Sequence, residues 1–233
     1  MRLNVTAVNI SVRMRSYGMS SVSADSPGKK GYHHGALQSA LIEASIALAR
    51  EGGPDRVILR EAARATGVSH SAAYRHFADR EALLVEVSRH ARAALAGEMR
   101  RRVNRTTDPR KRLQAVGTAY IDFALTQPGL FRTAFTSHPT ASAGHADRPT
   151  EPETGSDEPA EPYEILAQVL DDAQAAGLLD ARRRPGAEIA VWSAVHGLAN
   201  LLLDGPLPTT AAAIEFATGK VFDLIDGGLL NSA

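Results

Sequence analysis

Residues 59–77, LREAARATGVSHSAAYRHF, constrain this chain more than any other stretch. They read as two short helices, roughly 59–66 and 70–77, with TGVS at their junction. A connection that short forces a tight turn, and the residues around it suit one. Ala63 is small enough for the second helix to cross closely. Gly67, four residues later, can adopt the positive φ that such a turn requires. Val68 is placed to plug the gap between the helices, and Ser69 is a good N-cap for the second. Two short helices joined in this way form a helix-turn-helix. The pattern A-x-x-x-G-V-S alone would equally suit a helical hairpin inside a bundle. Here it is joined by Y-R-H-F and F-x-D-R-E-A-L-L (74–84) in a basic setting. The combination points to a second helix whose first turns face outward, where polar side chains can reach base edges and phosphates.

The rest of the chain supplies helices and no convincing strand or internal repeat. In GALQSALIEASIALAR (35–50), Leu37, Leu41, Ala44 and Leu48 lay one apolar stripe along a helix. GGP at 52–54 ends it. Asp79 is a good N-cap for a longer helix to about Arg102, with Glu81 in its positively polarised first turn. Further helices are expected at about 109–126, 130–135, 163–177, 186–204 and 209–228. The fold class is therefore all-α. Aromatics make up only 5% of the residues against 44% hydrophobic, so the core must be built largely from Ala, Leu and Val. Residues 1–30 read as a disordered tail, with Met14 and Met19 as alternative starts. Residues 139–162, rich in Pro, acidic and small side chains, read as a mobile loop.

Several function classes drop out. There is no Cys, which excludes disulfides, thiolate zinc sites and Cys nucleophiles and fits a cytoplasmic location. No apolar run approaches the ~20 residues of a membrane helix. The formal net charge of zero hides an asymmetry. Residues 1–112 carry 20 Lys+Arg against 10 Asp+Glu, and residues 113–233 carry 6 against 16. A polyanion is a plausible partner for the first half.

Four segments resemble one family. GYHHGALQSALIEA (31–44), LREAARATGVSHSAAYRHFADREALL (59–84) and the total length look like a TetR-type (tetracycline-repressor-like) transcriptional regulator. QPGLFRTAF (127–135) resembles the segment after the family's fifth helix. VWSAVHGLANLLLDG (191–205), with Trp192, His196 and Gly197, resembles a C-terminal ligand domain defined by a Trp-His-Gly signature. Two residues depart from the pattern. Ile58 stands where a Ser or Thr N-cap is common, and a lost cap costs ~1 kcal/mol. Ala73 stands where close relatives often carry Pro, and as the better helix former it does no harm.

The resemblance implies a helix-turn-helix DNA-binding domain at 31–80 and an effector-binding and dimerisation domain at 81–233. It assigns His70 and Ser71 to base edges, with Ser69 and Tyr74 on the same outward surface. Tyr74 and His76 match positions that touch phosphate, which sets register rather than sequence. Arg80, opening the next helix, is placed to reach phosphate, and Arg75 is either a DNA contact or a solvated charge. Tyr32, His33 and His34 precede the first helix and would follow the DNA backbone. Adjacent histidines do not share a helical face, so no metal is expected there, and no cofactor is called for. The run Arg100, Arg101, Arg102 complements the dipole at the end of a long helix.

In the C-terminal half, Tyr120, Phe123, Phe131, Phe135, Trp192 and His196 are candidate ligand contacts, since pairs three or four apart share a helical face. Plain core packing is the alternative. The segment 186–228 is apolar on more than one face, which requires burial on two sides. Leu198, Leu202, Val221, Leu224 and Ile225 are the candidates for a homodimer interface. A two-fold dimer would read a pseudo-palindromic operator in half-sites ~34–36 Å apart. A small apolar effector would then favour a conformation with wrongly spaced recognition helices, releasing a repressor. Two rivals stand beside this reading: a nonspecific nucleic-acid binder, and a hydrolase using Ser193, His196 and Asp204.

Overall fold

The computed structural model describes residues 29–136 and 161–230, with side chains from residue 35 onward. The tail expected at 1–30 and the loop expected at 139–162 lie almost entirely outside the described residues. Within them the chain is all-α: nine α-helices and no strand. They are α1 (Lys29–Gly52), α2 (Leu59–Ala65), α3 (His70–Tyr74), α4 (Arg80–Val103) and α5 (Pro109–Thr126). Then follow α6 (Pro128–Ala134), α7 (Pro162–Ala175), α8 (Ala187–Leu203) and α9 (Ala211–Leu229). A single 3-10 turn, Pro54–Arg56, joins α1 to α2.

Most boundaries follow from local chemistry. α1 stops because Gly53 takes φ +74 and Pro54 follows it. Asp79 caps α4 by accepting from the Ala82 N–H at 2.8 Å, and Asp108 caps α5 through Arg110 and Lys111 N–H. Glu161 and Glu164 form a reciprocal capping box at the start of α7. Three expectations shift. α1 begins at Lys29 rather than near Gly35. α6 begins at Pro128, since proline suits the first helical position, where its missing N–H costs nothing. α3 ends as α-helix at Tyr74, and residues 75–77 close it as a turn bonded to Ala72 and Ala73 carbonyls.

The core runs the length of α4, which buries Leu83, Leu84, Val87, Ala91, Leu95, Met99 and Val103. α4 packs against α1, α5, α6 and α7, and α5 in turn against α6, α7 and α8. α9 lies on α8. On α1 the deepest line is Leu41, Ser45 and Ala49, with Leu37, Ala44 and Leu48 beside it. Ser45 tolerates full burial because its hydroxyl donates to the Leu41 carbonyl at 2.7 Å.

The seven-residue α6 touches both α1 and the 3-10 turn after it. Its approach to α1 requires a glycine. A Cβ on Gly129 would overlap the Ala49 carbonyl oxygen and sit 2.8 Å from that of Arg50. Both obstacles are backbone, so neither can swing aside. Gly129→Ala is therefore expected to cost ~1–3 kcal/mol as an overpacking change, read as a lower Tm by circular dichroism. Gly97→Ala on α4, whose nearest neighbour is the end of Arg101 at 3.5 Å, should leave the Tm unchanged or raise it, since Ala is favoured over Gly in a helix interior by ~1 kcal/mol.

Candidate functional site

The helix-turn-helix folds as its residues dictate. Gly67 takes φ +70 at the turn. Ser69 accepts from the Ala72 N–H at 3.2 Å and so caps α3. Ala63, Ala73 and Phe77 are buried, and Val68 packs against them. That inner face fixes the outer one. His70, Ser71, Tyr74 and Arg75 are exposed, Tyr74 by 47%, and His76 is half-buried. The His70 and Tyr74 rings meet edge to face at 4.7 Å, and the Ser69 and Ser71 hydroxyls lie 3.2 Å apart. Ile58 makes no side-chain cap for α2.

Two expectations here need correction. Arg80 is not held ready for a phosphate: its Nε donates to the Val57 carbonyl at 2.9 Å and its Nη2 to that of Pro54 at 2.6 Å. It braces the start of α4 to the turn before α2. Tyr32, His33 and His34 do not precede the first helix but lie in its opening turns; their side chains are outside the described residues.

The charge asymmetry is in part internal. Arg92 pairs with Glu161 at 2.9 Å, Arg102 with Asp122 at 2.6 Å, Arg110 with Asp226 at 2.8 Å and Arg112 with Asp172 at 2.5 Å. Each joins a cation of the basic half to an acid of the other. Arg101 and Arg102 also engage Glu98. On the helix-turn-helix, by contrast, Arg60, Arg64 and Arg75 form no ion pair among the described residues and are exposed.

Farther along the chain, five of the six candidate ligand residues converge. Tyr120 of α5 and His196 of α8 share a hydrogen bond, OH to Nδ1, of 2.7 Å. The ring of Tyr120 lies 5.4 Å from Phe131, 5.8 Å from Phe135 and 5.4 Å from Trp192. Phe135 is 5.6 Å from Trp192 and 5.2 Å from His196. Such ring pairs, mostly edge to face, add ~0.5–1.5 kcal/mol each beyond area burial. Burial pushes the Tyr120 hydroxyl well above its usual range and holds the His196 imidazole below its own. Both are neutral at pH 7. A cavity of about 10 Å³ adjoins the cluster, lined by Met99, Val116, Gly117, Leu166, Val191 and Val195 besides Tyr120 and Trp192. That is near the least volume that holds one water.

Phe123 does not join the cluster. It is buried on another side of α5, beside Ala94, Glu98, Arg102 and Leu130. Tyr163 is the member missed: its ring lies 6.0 Å from Trp192. At the first turn of α7 it had no partner at helical spacing to mark it.

Along the outer side of α8 and α9 runs an apolar groove of about 510 Å³. Leu198 and Val221 line it, as do Leu201, Phe216 and Leu224, the last two 69% exposed. Leu202 and Ile225, expected at an interface, instead turn into the chain's own core. The hydrolase geometry is not assembled either. His196 Nδ1 is taken by Tyr120, and Asp204 pairs with Arg132 at 2.5 Å.

Comparison with known proteins agrees with this architecture. The family model described as bacterial regulatory proteins, tetR family, matches residues 41–87, and that described as tetracyclin repressor-like, C-terminal domain, matches residues 113–221. No curated protein matches at a significant level. Among solved structures, a protein of unknown function from Rhodococcus sp. RHA1 is 26% identical, with a TM-score of 0.62 over 87% of this chain and 100% of that one. The TetR family transcriptional regulator PfmR from Thermus thermophilus is 23% identical, with a TM-score of 0.53 over 81% and 97%. RolR in complex with resorcinol is 14% identical, with a TM-score of 0.58 over 87% and 99%, and so shares the fold. With its helix-turn-helix and its C-terminal helices each matching in order and together covering most of the sequence, the chain belongs to the TetR family of regulatory proteins.

Proposed function

We propose that this ligand-responsive, DNA-binding regulator is a cytoplasmic homodimeric repressor, released from a pseudo-palindromic operator by a small apolar effector. DNA binding is assigned to residues 31–80, and effector binding and dimerisation to 81–233. His70 and Ser71 are the base-reading pair. Ser69, Tyr74, Arg75 and His76 set the register on phosphate, along with Tyr32, His33 and His34 at the start of α1. The effector site is Tyr120, Phe131, Phe135, Trp192 and His196. RolR, which shares the fold, was solved with the ligand resorcinol, and that supports a small aromatic effector.

One observation carries the reading. Phe131 stands in the aromatic cluster, while Gly129 on the same helix rests on the last carbonyls of α1. A guest that parts the rings must move α6, and α6 cannot move without disturbing the seat of α1. Ligand and DNA affinity are then coupled, reciprocally, by ~1–3 kcal/mol, or 5- to 150-fold. The groove on α8 and α9 supports the dimer. Leu198, Leu201, Phe216, Val221 and Leu224 form an apolar face on adjacent helices, and large exposed apolar patches mark association sites.

The test is a footprint of the purified protein on the DNA upstream of its own gene, at fixed salt with competitor, followed by selection from a random pool. A protected two-fold site upholds the reading; affinity indifferent to sequence and falling steeply with salt would replace it with nonspecific binding. His70→Ala should cost ~1–3 kcal/mol on the preferred site and relax preference at one base pair. Tyr74→Phe should weaken all sequences alike, by about 0.5–1.5 kcal/mol. The double variant Phe216→Asp, Leu224→Asp should sediment as a monomer and lose the footprint, while keeping its helical circular dichroism.

A further inference from the structure

We propose that the effector is a small neutral aromatic molecule bearing one hydroxyl, a phenol, with its ring among Phe131, Phe135 and Trp192 and its hydroxyl on the Tyr120–His196 pair. This rests on the reading of the aromatic cluster as the effector site and names the chemistry that site selects.

Charge is the first filter. The cluster and the cavity beside it contain no Asp, Glu, Lys or Arg. Several charged groups of the surrounding helices pair with one another, as Arg92 with Glu161, Arg102 with Asp122 and Arg132 with Asp204. An ionic guest would lose its water and find no countercharge, a cost that a few ring contacts do not offset. A cation could sit against ring faces, but no carboxylate stands in the cluster or the adjoining cavity to offset its lost hydration.

Shape is the second. The rings hold one another at centroid separations of 5.1 to 6.1 Å, and the adjoining space is about 10 Å³. A guest must therefore part rings that already satisfy each other. A planar aromatic ring replaces each lost edge-to-face contact with one of the same kind; a flexible aliphatic chain does not. A single ring requires the least opening. Phe131 is fully buried, whereas Phe135 and Trp192 are half-buried and Tyr163 is exposed at the rim. Entry is by way of these three.

The polar pair is the third. A neutral imidazole that accepts the Tyr120 proton at Nδ1 carries its own proton on Nε2, and the tyrosine oxygen keeps a lone pair. The pair thus offers a donor and an acceptor at once. Nδ1 and Nε2 face opposite sides of the imidazole, so one hydroxyl meets one of the two, donating to the tyrosine oxygen; a hydrocarbon meets neither. Because Tyr120 and His196 satisfy each other when no guest is present, a guest without a hydroxyl leaves no orphaned group. Discrimination is therefore modest, up to about tenfold, rather than the thousands-fold of a site with unpaired partners.

The chain carries its own probe. It has one tryptophan, and that residue is Trp192. The full-length protein is titrated with phenol, toluene, benzoate and phenyltrimethylammonium, following Trp192 emission and, in parallel, heat by calorimetry. Phenol should saturate, toluene should bind about three- to tenfold more weakly, and neither ion should bind where phenol saturates. The double variant Tyr120→Phe, His196→Phe, which removes both polar groups, should bring phenol affinity down to that of toluene and leave toluene unchanged, a pattern that loosened packing would not produce. If phenol fails to bind, if either ion binds as tightly, or if the double variant leaves phenol affinity unaltered, the inference is overturned. The footprint separates this from the regulator reading. A specific site with no phenol binding overturns the effector chemistry alone. Phenol binding with the expected double-variant pattern but no specific site upholds it and overturns the regulator.

Discussion

The seating of Gly129 on the last turn of α1 is the contact on which the rest of this structure depends. α1 ends there because Gly53 takes positive φ and Pro54 follows, leaving carbonyls at its C-terminus without helical partners. The N-terminus of α6 arrives at that point, bringing the positive end of a helix to the negative end of another. Only a residue without a side chain permits the approach. Three residues of one short helix thereby span the molecule: Pro128 starts it, Gly129 meets the helix-turn-helix side, and Phe131 enters the aromatic cluster.

Around that contact, polar ties hold the helices in register without contributing much stability. The Ser88 hydroxyl donates to the carbonyl of Ala134 at the end of α6, and Arg92 bridges Ser88 to Glu161 at the start of α7. Arg132 reaches Asp204 at the end of α8. Half-exposed ion pairs of this kind are worth ~0–1 kcal/mol each, whereas each large core side chain contributes about 1.5–3 kcal/mol by burial. The apolar core therefore holds the helices together, and the ion pairs select which helix end meets which. This also explains the two-sided charge distribution: a basic N-terminal half and an acidic C-terminal half attract across α4, α5, α7 and α9. On the helix-turn-helix, Arg60, Arg64 and Arg75 stay outside these pairs and exposed, open to a polyanion.

The parts of the fold that were legible in the sequence are those decided locally. Gly67, Ser69 and Asp79 act within three or four residues of themselves, so the turn and both caps could be placed from spacing alone. The aromatic cluster was legible where two residues on one face also met residues on another helix, as Trp192 and His196 do with Tyr120. It failed at Phe123, because α5 is buried on more than one side and sharing a broad face does not mean sharing a cavity. Leu202 and Ile225 failed for the same reason. A helix apolar all round shows that it is covered on two sides, not which side is covered by its own chain. Arg80 failed differently: a guanidinium at a helix start faces phosphate or a nearby carbonyl equally well on paper, and the Pro54–Val57 turn that captures it is visible only in three dimensions.

The closed state of the cluster bears on the sign of regulation. On the proposed reading of the cluster as the effector site, the cavity of about 10 Å³ beside it is too small for a guest, and the effector binds a different conformation. The energy needed to part the rings is subtracted from its affinity, as for any ligand whose competent state is rare. A ligand shifts an equilibrium only by its difference in affinity for two states, and here that difference is close to complete, because one state excludes it. The conformation that holds α1 through an undisturbed α6 is thus the one without effector. If that conformation is the one spaced for DNA, effector must weaken DNA binding. Release then follows from packing density and from one glycine contact, and needs no contact between effector and DNA-binding helices.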